Sequence, residues 1–141
     1  MLREYNIKNI YQGRLYTGDD LLKELTRIVQ EKGIKVGKIS AIGAVQKAKI
    51  SYYNQDQQVY QDREFNEHLE IVNLLGNISS KDGEVMIHAH ISLGDDEGNL
   101  FGGHLAEETR VFACEFIIEE YQGEPLNRAY DQVTGLTLWS D

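Results

Sequence analysis

The chain has 141 residues, which suits one domain over residues 1–141 and allows a substantial core without disulfides or structural metals. Its single cysteine excludes an intrachain disulfide, no apolar run approaches the roughly 20 residues of a membrane helix, and the charged N-terminus has no apolar signal region. We therefore expect a soluble cytoplasmic protein. The net charge of −9 disfavours binding to the phosphate backbone of nucleic acids unless a local basic patch overrides it.

In chain order, the pattern predicts one helix among many strands. Residues 4–17 alternate as a strand with a turn at Gly13, and an apolar stripe at helical spacing follows, with Asp19 as its N-cap and Gly33 as the residue that ends the helix. Further strands are predicted over residues 35–53, 59–61, 68–78, 84–93, 100–105 and 109–121, and a short tail follows with an apolar segment at 136–139. This order predicts an α+β domain with a mostly antiparallel β-sheet covered by one main helix.

Two glutamates and one arginine are candidates for moving protons or holding charge. Residues 109–121 carry apolar side chains on both predicted faces, as is typical of a central strand, and Glu115 lies among them. A buried carboxylate needs a cationic partner or a raised pKa, so Glu115 is either a general acid or base beside a metal or the partner of an arginine. The same alternatives apply to Glu70. Arg128 could hold a carboxylate substrate in a bidentate fork, or form a salt bridge within an oligomer.

Three of the four histidines fall within 17 residues and are predicted to share one face of a hairpin. His88 and His90 lie on the polar side of an alternating strand, and a turn rich in Gly, Asp and Asn leads to the next strand. His104 then lies opposite His88 if the turn centres near Asp96, or opposite His90 if it centres near Glu97. Three imidazoles with an open fourth position are typical of a catalytic zinc site. The alternative is three histidines on a solvated face, or in the core with hydrogen bonds to the backbone.

Several short motifs along the chain resemble those of one known family. They are EIVNLLGNI at 70–78, Asp82-Gly83, HAHISL at 88–93, DEGN at 96–99, FGGHL at 101–105, Val111, Glu115, Arg128 and TGL at 134–136. Together they resemble the PPC domain, the "plants and prokaryotes conserved" domain, over nearly the whole chain. The order of HxH before GGHL is fairly specific.

This resemblance implies an antiparallel sheet packed with a helix, assembled as a homotrimer. Plant members are nuclear DNA-binding proteins in which an AT-hook, a short basic segment, precedes the domain, and stand-alone prokaryotic members are also often named DNA-binding proteins. This chain has no Arg-Gly-Arg-Pro stretch of the AT-hook kind. The histidine-bearing members are similar in fold to acetolactate decarboxylase, a zinc enzyme with an HxH-plus-His site, so the zinc-enzyme interpretation is an analogy.

Three functions are compatible with these observations: a DNA-associated regulatory protein, a zinc-dependent lyase or hydrolase acting on a small carboxylate, and a ligand-sensing or scaffold trimer without chemistry. A trimer would carry −27, three times the chain's −9, which disfavours direct DNA binding. We expect a homotrimer that binds zinc, or another divalent metal, through His88, His90 and His104. We also expect a small anion to bind beside this metal.

Overall fold

The computed structural model describes residues 1–140, in which one helix and nine strands are found. In chain order these elements are β1 (Asn6–Leu15), α1 (Leu21–Glu31), β2 (Gly37–Asn54), β3 (Val59–Phe65), β4 (Leu69–Lys81), β5 (Glu84–Gly94), β6 (Leu100–Leu105), β7 (Arg110–Gln122), β8 (Asn127–Tyr130) and β9 (Thr137–Ser140). The predicted α+β class with a mainly antiparallel sheet is confirmed. The helix is not long and apolar enough to cross a membrane, and no other helix occurs in residues 1–140.

The long strand β2 organises the sheet because it pairs with four other strands. Its first part pairs with β7 on one side and β4 on the other, and its last part pairs with β3 and β6. Since β4, β5 and β6 also pair in sequence, the sheet returns to β2 and closes on itself. All these ladders are antiparallel, and β8 alone joins its neighbour, β4, in a parallel pair.

Helix α1 begins one residue later than the sequence suggested. Asp20, not Asp19, is the N-cap, and its carboxylate accepts hydrogen bonds from the backbone N–H groups of Lys23 and Glu108. This carboxylate therefore ties the helix start to the loop before β7, which the local sequence pattern could not reveal. The predicted end is confirmed, because Gly33 follows the C-cap with φ at +65°.

One face of the sheet and one face of the helix form the core. The alternation predicted for β5 is confirmed, and its inward side chains are Ile87, Ala89, Ile91 and Leu93. The helix contributes the buried side chains Leu21, Leu25 and Val29. Each fully buried leucine or isoleucine contributes about 2 kcal/mol of transfer free energy, so this core provides the main driving force for folding.

In the part of the chain that the structure describes, no helix lies over the opposite face of the sheet. A single row of directly paired residues crosses this face, and it consists of Ile117, Ser40, Leu75, His90 and His104. Leu75 is 51% exposed and Ile117 is 38% exposed. The histidines therefore lie at one end of an uncovered face that also carries large apolar side chains.

Two expectations about strands are wrong for identifiable reasons. Along β7, Cys114, Phe116 and Ile118 are buried, so Glu115 and Ile117 alternate onto the uncovered sheet face. The register shift against β2 near Val45 leaves Phe112 exposed as well, and β7 is therefore not buried on both faces. Gly13 does not form a turn, because β1 continues through it opposite Phe116. A side-chain carbon at Gly13 would lie only 2.6 Å from the Phe116 ring, so the glycine makes room for that ring.

Candidate metal site

The hairpin of β5 and β6 brings two histidines into direct opposition. His90 pairs with His104, which places the centre of the turn at Glu97, one of the two predicted positions. The Asp95 carboxylate holds this turn, since it accepts backbone hydrogen bonds from Glu97 at 3.0 Å and Asn99 at 2.8 Å. Hydrogen bonds from Asn99 are the main reason that the pKa of Asp95 is lowered. The hairpin register thus follows from turn chemistry within the local sequence.

His88 completes what we call the histidine cluster, defined as His88, His90 and His104. One ring nitrogen from each residue lies within 4.8 Å of those of the other two. The ring centroids of His88 and His104 are 4.8 Å apart, and the rings of His90 and His104 are 5.6 Å apart. His88 and His104 are partly buried, whereas His90 is exposed on the uncovered sheet face. The predicted convergence of the three side chains is confirmed.

Two of these imidazoles are held neutral at physiological pH. Burial, followed by the nearby His104, Arg128 and His90, lowers the pKa of His88 to about 4. Burial is also the main cause that lowers the pKa of His104. A neutral imidazole has a free lone pair, so these side chains can bind a metal without first losing a proton.

Arg128 lies beside the histidine cluster because β8 pairs with β4. Its Nε donates to Ser79 Oγ at 2.8 Å, its Nη2 donates to Asn77 Oδ1 at 2.9 Å, and its Nη1 donates to the Thr137 carbonyl at 3.1 Å. The same Nη2 lies 3.5 Å from His88 Nδ1. The guanidinium thus forms one edge of the site, held at three points by neutral acceptors.

Within residues 1–140, this arginine is a buried cation whose charge is not balanced by a neighbouring acid. Arg128 is only 7% exposed, and burial lowers its pKa. Among residues 1–140, none of the Asp and Glu side chains forms an ion pair with it. The guanidinium of Arg128 also lies over the Trp139 ring, and its central carbon is 5.4 Å from the ring centroid. A buried cation bonded only to neutral groups favours the approach of an anion.

The other predicted site residues lie apart from the cluster. Glu70 pairs with Gly94, which is four residues along β5 from His90, a distance of about 13 Å at the usual strand rise. Glu115 is exposed and lies opposite Arg14 on β1, so the expectation of a buried carboxylate is wrong. The structure does not bring either glutamate to the imidazoles within one chain. Their roles in proton transfer stay predictions.

A match to a known family accompanies this geometry. Residues 2–122 match the family model of the Plants and Prokaryotes Conserved (PCC) domain, the family named PPC above. The chain belongs to this family. Arg128, β8 and β9 lie beyond the matched stretch, so the match includes the histidine cluster but not the arginine.

Three solved structures are similar to this PCC domain over almost its whole length. The metal-containing protein AF0104 from Archaeoglobus fulgidus is 42% identical, with a TM-score of 0.95 and coverage of 100% of this chain and 99% of that one. A plant- and prokaryote-conserved protein from Pyrococcus horikoshii is 34% identical, with a TM-score of 0.93 and coverage of 100% and 98%. A protein from Bacteroides thetaiotaomicron, described as a proposed DNA-binding protein, is 32% identical, with a TM-score of 0.88 and coverage of 96% of each chain.

The PCC domain also matches part of a much longer protein. The bifunctional protein GlmU of a Synechococcus strain is 30% identical over 128 residues, which is 89% of this chain and 19% of GlmU. The chain therefore spans about a fifth of the length of this curated relative.

Sequence reasoning missed two tyrosines beside the cluster in this PCC domain. Tyr53 and Tyr60 pair directly across the β2–β3 turn, and the Tyr60 ring lies 5.3 Å from the His104 ring. Both line a cavity of about 940 Å³ that also contains the histidine cluster. The sequence predicts strands on either side of residues 54–58, but a turn centred on residue 56 would place Tyr53 opposite Val59. In the structure Asn54 pairs with Val59, so the turn centres between residues 56 and 57 and Tyr53 faces Tyr60.

Proposed function

We propose that this PCC domain binds zinc, or a similar divalent metal, through the histidine cluster, and that a small carboxylate binds between the metal and Arg128. The observation that carries this proposal is the convergence of three imidazoles beside a buried arginine that has no acidic partner in the described residues. The similarity to a metal-containing protein of Archaeoglobus fulgidus over the full chain supports the metal.

The donor set suits zinc in number and chemistry. Zinc–nitrogen bonds of about 2.0–2.1 Å place tetrahedral ligand nitrogens about 3.4 Å apart, so the nitrogens now within 4.8 Å need to move together by roughly 1 Å. Rotation of the exposed His90 ring and small shifts of the other two provide such a movement. When bound, the metal would act as a Lewis acid that polarises a carbonyl or lowers the pKa of its water.

Arg128 determines the sign of the charge that the second ligand carries. Its Nη2 group lies 3.5 Å from His88, so a guanidinium charge stands directly beside the proposed metal. Two neighbouring positive groups repel each other in a partly buried site, and an anion that contacts both relieves this repulsion. A carboxylate can accept hydrogen bonds from the guanidinium while one oxygen faces the cluster. We therefore propose a carboxylate and not a neutral ligand.

We propose first that the site binds these ligands, and second that it catalyses a lyase or hydrolase reaction on the bound carboxylate. Such a reaction needs a group that moves a proton within hydrogen-bond reach of the ligand. Glu70 and Glu115 would have to supply it from outside the immediate surroundings of the cluster. Replacement of each by glutamine tests this extension, since loss of turnover without loss of zinc would assign the proton transfer.

We further propose that the protein is a homotrimer. The support is the sheet face opposite the helix, where Ile42, Val72, Leu75 and Ile117 are all exposed. Large contiguous apolar patches are unfavourable in water and mark protein interfaces. Light scattering on a sizing column should give about three times the chain mass of 16.1 kDa. A single monomeric species at micromolar concentration would contradict the trimer.

Direct binding to duplex DNA is the competing function, and the charge distribution disfavours it. The chain has 14 Lys and Arg residues against 23 Asp and Glu residues. Six of the 14 already form ion pairs with acids in the described structure, namely Lys8, Lys23, Arg27, Lys38, Lys47 and Lys49. The remaining eight are outnumbered by the acidic side chains, and the net charge of −9 repels a phosphate backbone. Tight, steeply salt-dependent gel shifts that survive loss of the histidine cluster would favour the DNA-binding function.

The metal is tested by elemental analysis of protein purified without an affinity tag. Wild-type protein should contain about one zinc per chain, and the His88→Ala and His104→Ala variants should lose it. His68→Ala is the matched control, because His68 is exposed and outside the cluster. Protein that stays metal-free after dialysis against zinc chloride would overturn the proposal.

The carboxylate is tested by calorimetric titration of acetate into zinc-loaded protein. The Arg128→Gln variant should keep its zinc but bind acetate at least tenfold more weakly, since loss of a charged hydrogen-bonding partner typically costs about 1.5–3 kcal/mol. Retention of zinc and of the circular dichroism spectrum would show that this variant is folded. Unchanged acetate affinity in that variant would contradict the role of Arg128.

A further inference from the structure

The cavity beside the histidine cluster has a row of aromatic rings along one wall. The Tyr53 and Tyr60 rings lie 5.0 Å apart, Tyr60 lies 5.3 Å from His104, and His104 lies 4.8 Å from His88. We call Tyr53 and Tyr60 the tyrosine shelf. The distances between neighbouring ring centroids fall within the range of interacting aromatic pairs. Each ring therefore contacts the next, from the tyrosine shelf to the proposed metal ligands.

The shelf is fixed in place although it lies at the surface. The Tyr53 hydroxyl donates a 2.6 Å hydrogen bond to the carbonyl of Thr134. The next residue, Gly135, has φ at +72°, and a Cβ there would lie 2.6 Å from the Tyr53 oxygen. A side chain at Gly135 would therefore push Tyr53 out of its position. The C-terminal loop thus orients one ring, and that ring supports the other.

Tyr60 itself has an open face. It is 50% exposed, and the residues of β3 around it, from Val59 to Glu64, are exposed as well. A half-exposed ring beside a fixed ring and an imidazole leaves apolar surface facing the cavity. This cavity, of about 940 Å³, is far larger than a metal ion and a two-carbon acid require.

We propose that the tyrosine shelf receives the ring of an aromatic carboxylate whose carboxyl group lies between the histidine cluster and Arg128. This inference rests on the proposed carboxylate site and specifies its ligand class. Arg128 lies 3.5 Å from His88, which lines the cavity, so its positive charge orients the acid group. The aromatic wall accommodates a flat unsaturated ring joined directly to that group. Short aliphatic acids fill the charged end only and leave the shelf in water.

The test compares three acids on zinc-loaded wild-type protein by calorimetry: benzoate, cyclohexanecarboxylate and acetate. Benzoate should bind about 3- to 10-fold more tightly than cyclohexanecarboxylate, since aromatic pairs contribute beyond their buried area, and more tightly still than acetate. Tyr60→Leu should remove the preference for benzoate over cyclohexanecarboxylate, and Tyr60→Phe should retain it. The matched control is Tyr16→Leu, because Tyr16 is 65% exposed and does not line this cavity.

The outcomes separate this inference from the site on which it rests. Equal affinities for benzoate and acetate, or a benzoate preference that survives Tyr60→Leu, would overturn the aromatic ligand class while leaving the carboxylate site intact. If none of the three acids binds the zinc-loaded protein, the carboxylate site fails and the inference fails with it. Equal zinc content and melting temperature in the Tyr60 variants would show that differences in affinity arise from the shelf.

Discussion

Protonation of His88 should make the metal-free protein sensitive to mild acid. Burial and the neighbouring positive groups lower its pKa to about 4, against an ordinary value of 6.5. Because the folded pKa is the lower one, the unfolded chain binds more protons between these two values. The stabilising contribution is fully present above pH 6.5, declines as the pH falls, and is lost once the pH passes below about 4.

The size of this effect follows from the same pair of values. Because the unfolded chain binds the His88 proton more tightly, the free energy of unfolding is reduced by about 2.5 kcal/mol at pH 4.5 but by only about 0.2 kcal/mol at pH 7. The loss of stability between these two pH values is therefore on the order of 2 kcal/mol. Other acidic groups also titrate in this range. A comparison with His88→Asn, which has no charge to gain, isolates the contribution of this one side chain.

The assay is urea unfolding of wild-type and His88→Asn protein after removal of metal with a chelator, at both pH values and one protein concentration. Between pH 7 and 4.5 the wild type should lose about 2 kcal/mol more stability than the variant. Parallel losses within about 0.5 kcal/mol would refute the reasoning, because His88 would then be as free to accept a proton in the folded protein as in the unfolded chain.

Two further predictions concern the framework that positions the site. Asp20→Ala should lower the free energy of unfolding by about 1–3 kcal/mol in urea titrations. The reason is that the Asp20 carboxylate both caps α1 and accepts a hydrogen bond from the Glu108 N–H at 2.7 Å. A change below about 0.3 kcal/mol would contradict this double role. Glu120→Gln should lower the free energy of unfolding by about 2 kcal/mol, because Glu120 is 4% exposed and accepts a hydrogen bond from Lys8 at 2.7 Å. Glu119→Gln is the control and should cost much less, because Glu119 is partly exposed and paired with Lys38 at the surface. Equal losses in the two variants would refute this ranking.

The histidine cluster was predictable from the sequence because it depends on local rules. Alternation along β5 puts His88 and His90 on one side, and the turn chemistry around Asp95 sets which residue opposes His104. Both rules act within one hairpin, so no information about the distant chain is needed. The same holds for the end of α1 at Gly33.

The features that failed depend on contacts between distant segments. Glu115 was expected to be buried, but it alternates with the buried Cys114 and Phe116 onto the sheet face that the helix leaves uncovered, and which face the helix covers is decided by packing between distant segments. The strand β8 was missed because it is only four residues long and forms a parallel pair with β4. The position of Arg128 follows from that pair, so its contact with His88 was not predictable from periodicity.

The two halves of the proposed site therefore have separate structural origins. The three imidazoles belong to one hairpin within the residues that match the PCC family. The arginine and the loop that holds Tyr53 belong to the C-terminal segment, which lies beyond that match. Our proposals therefore imply that a change in the C-terminal segment alters the bound acid without disturbing the three imidazoles. The proposed ligand class therefore depends on residues outside the stretch that the family model matches, whereas the proposed metal depends on residues within it.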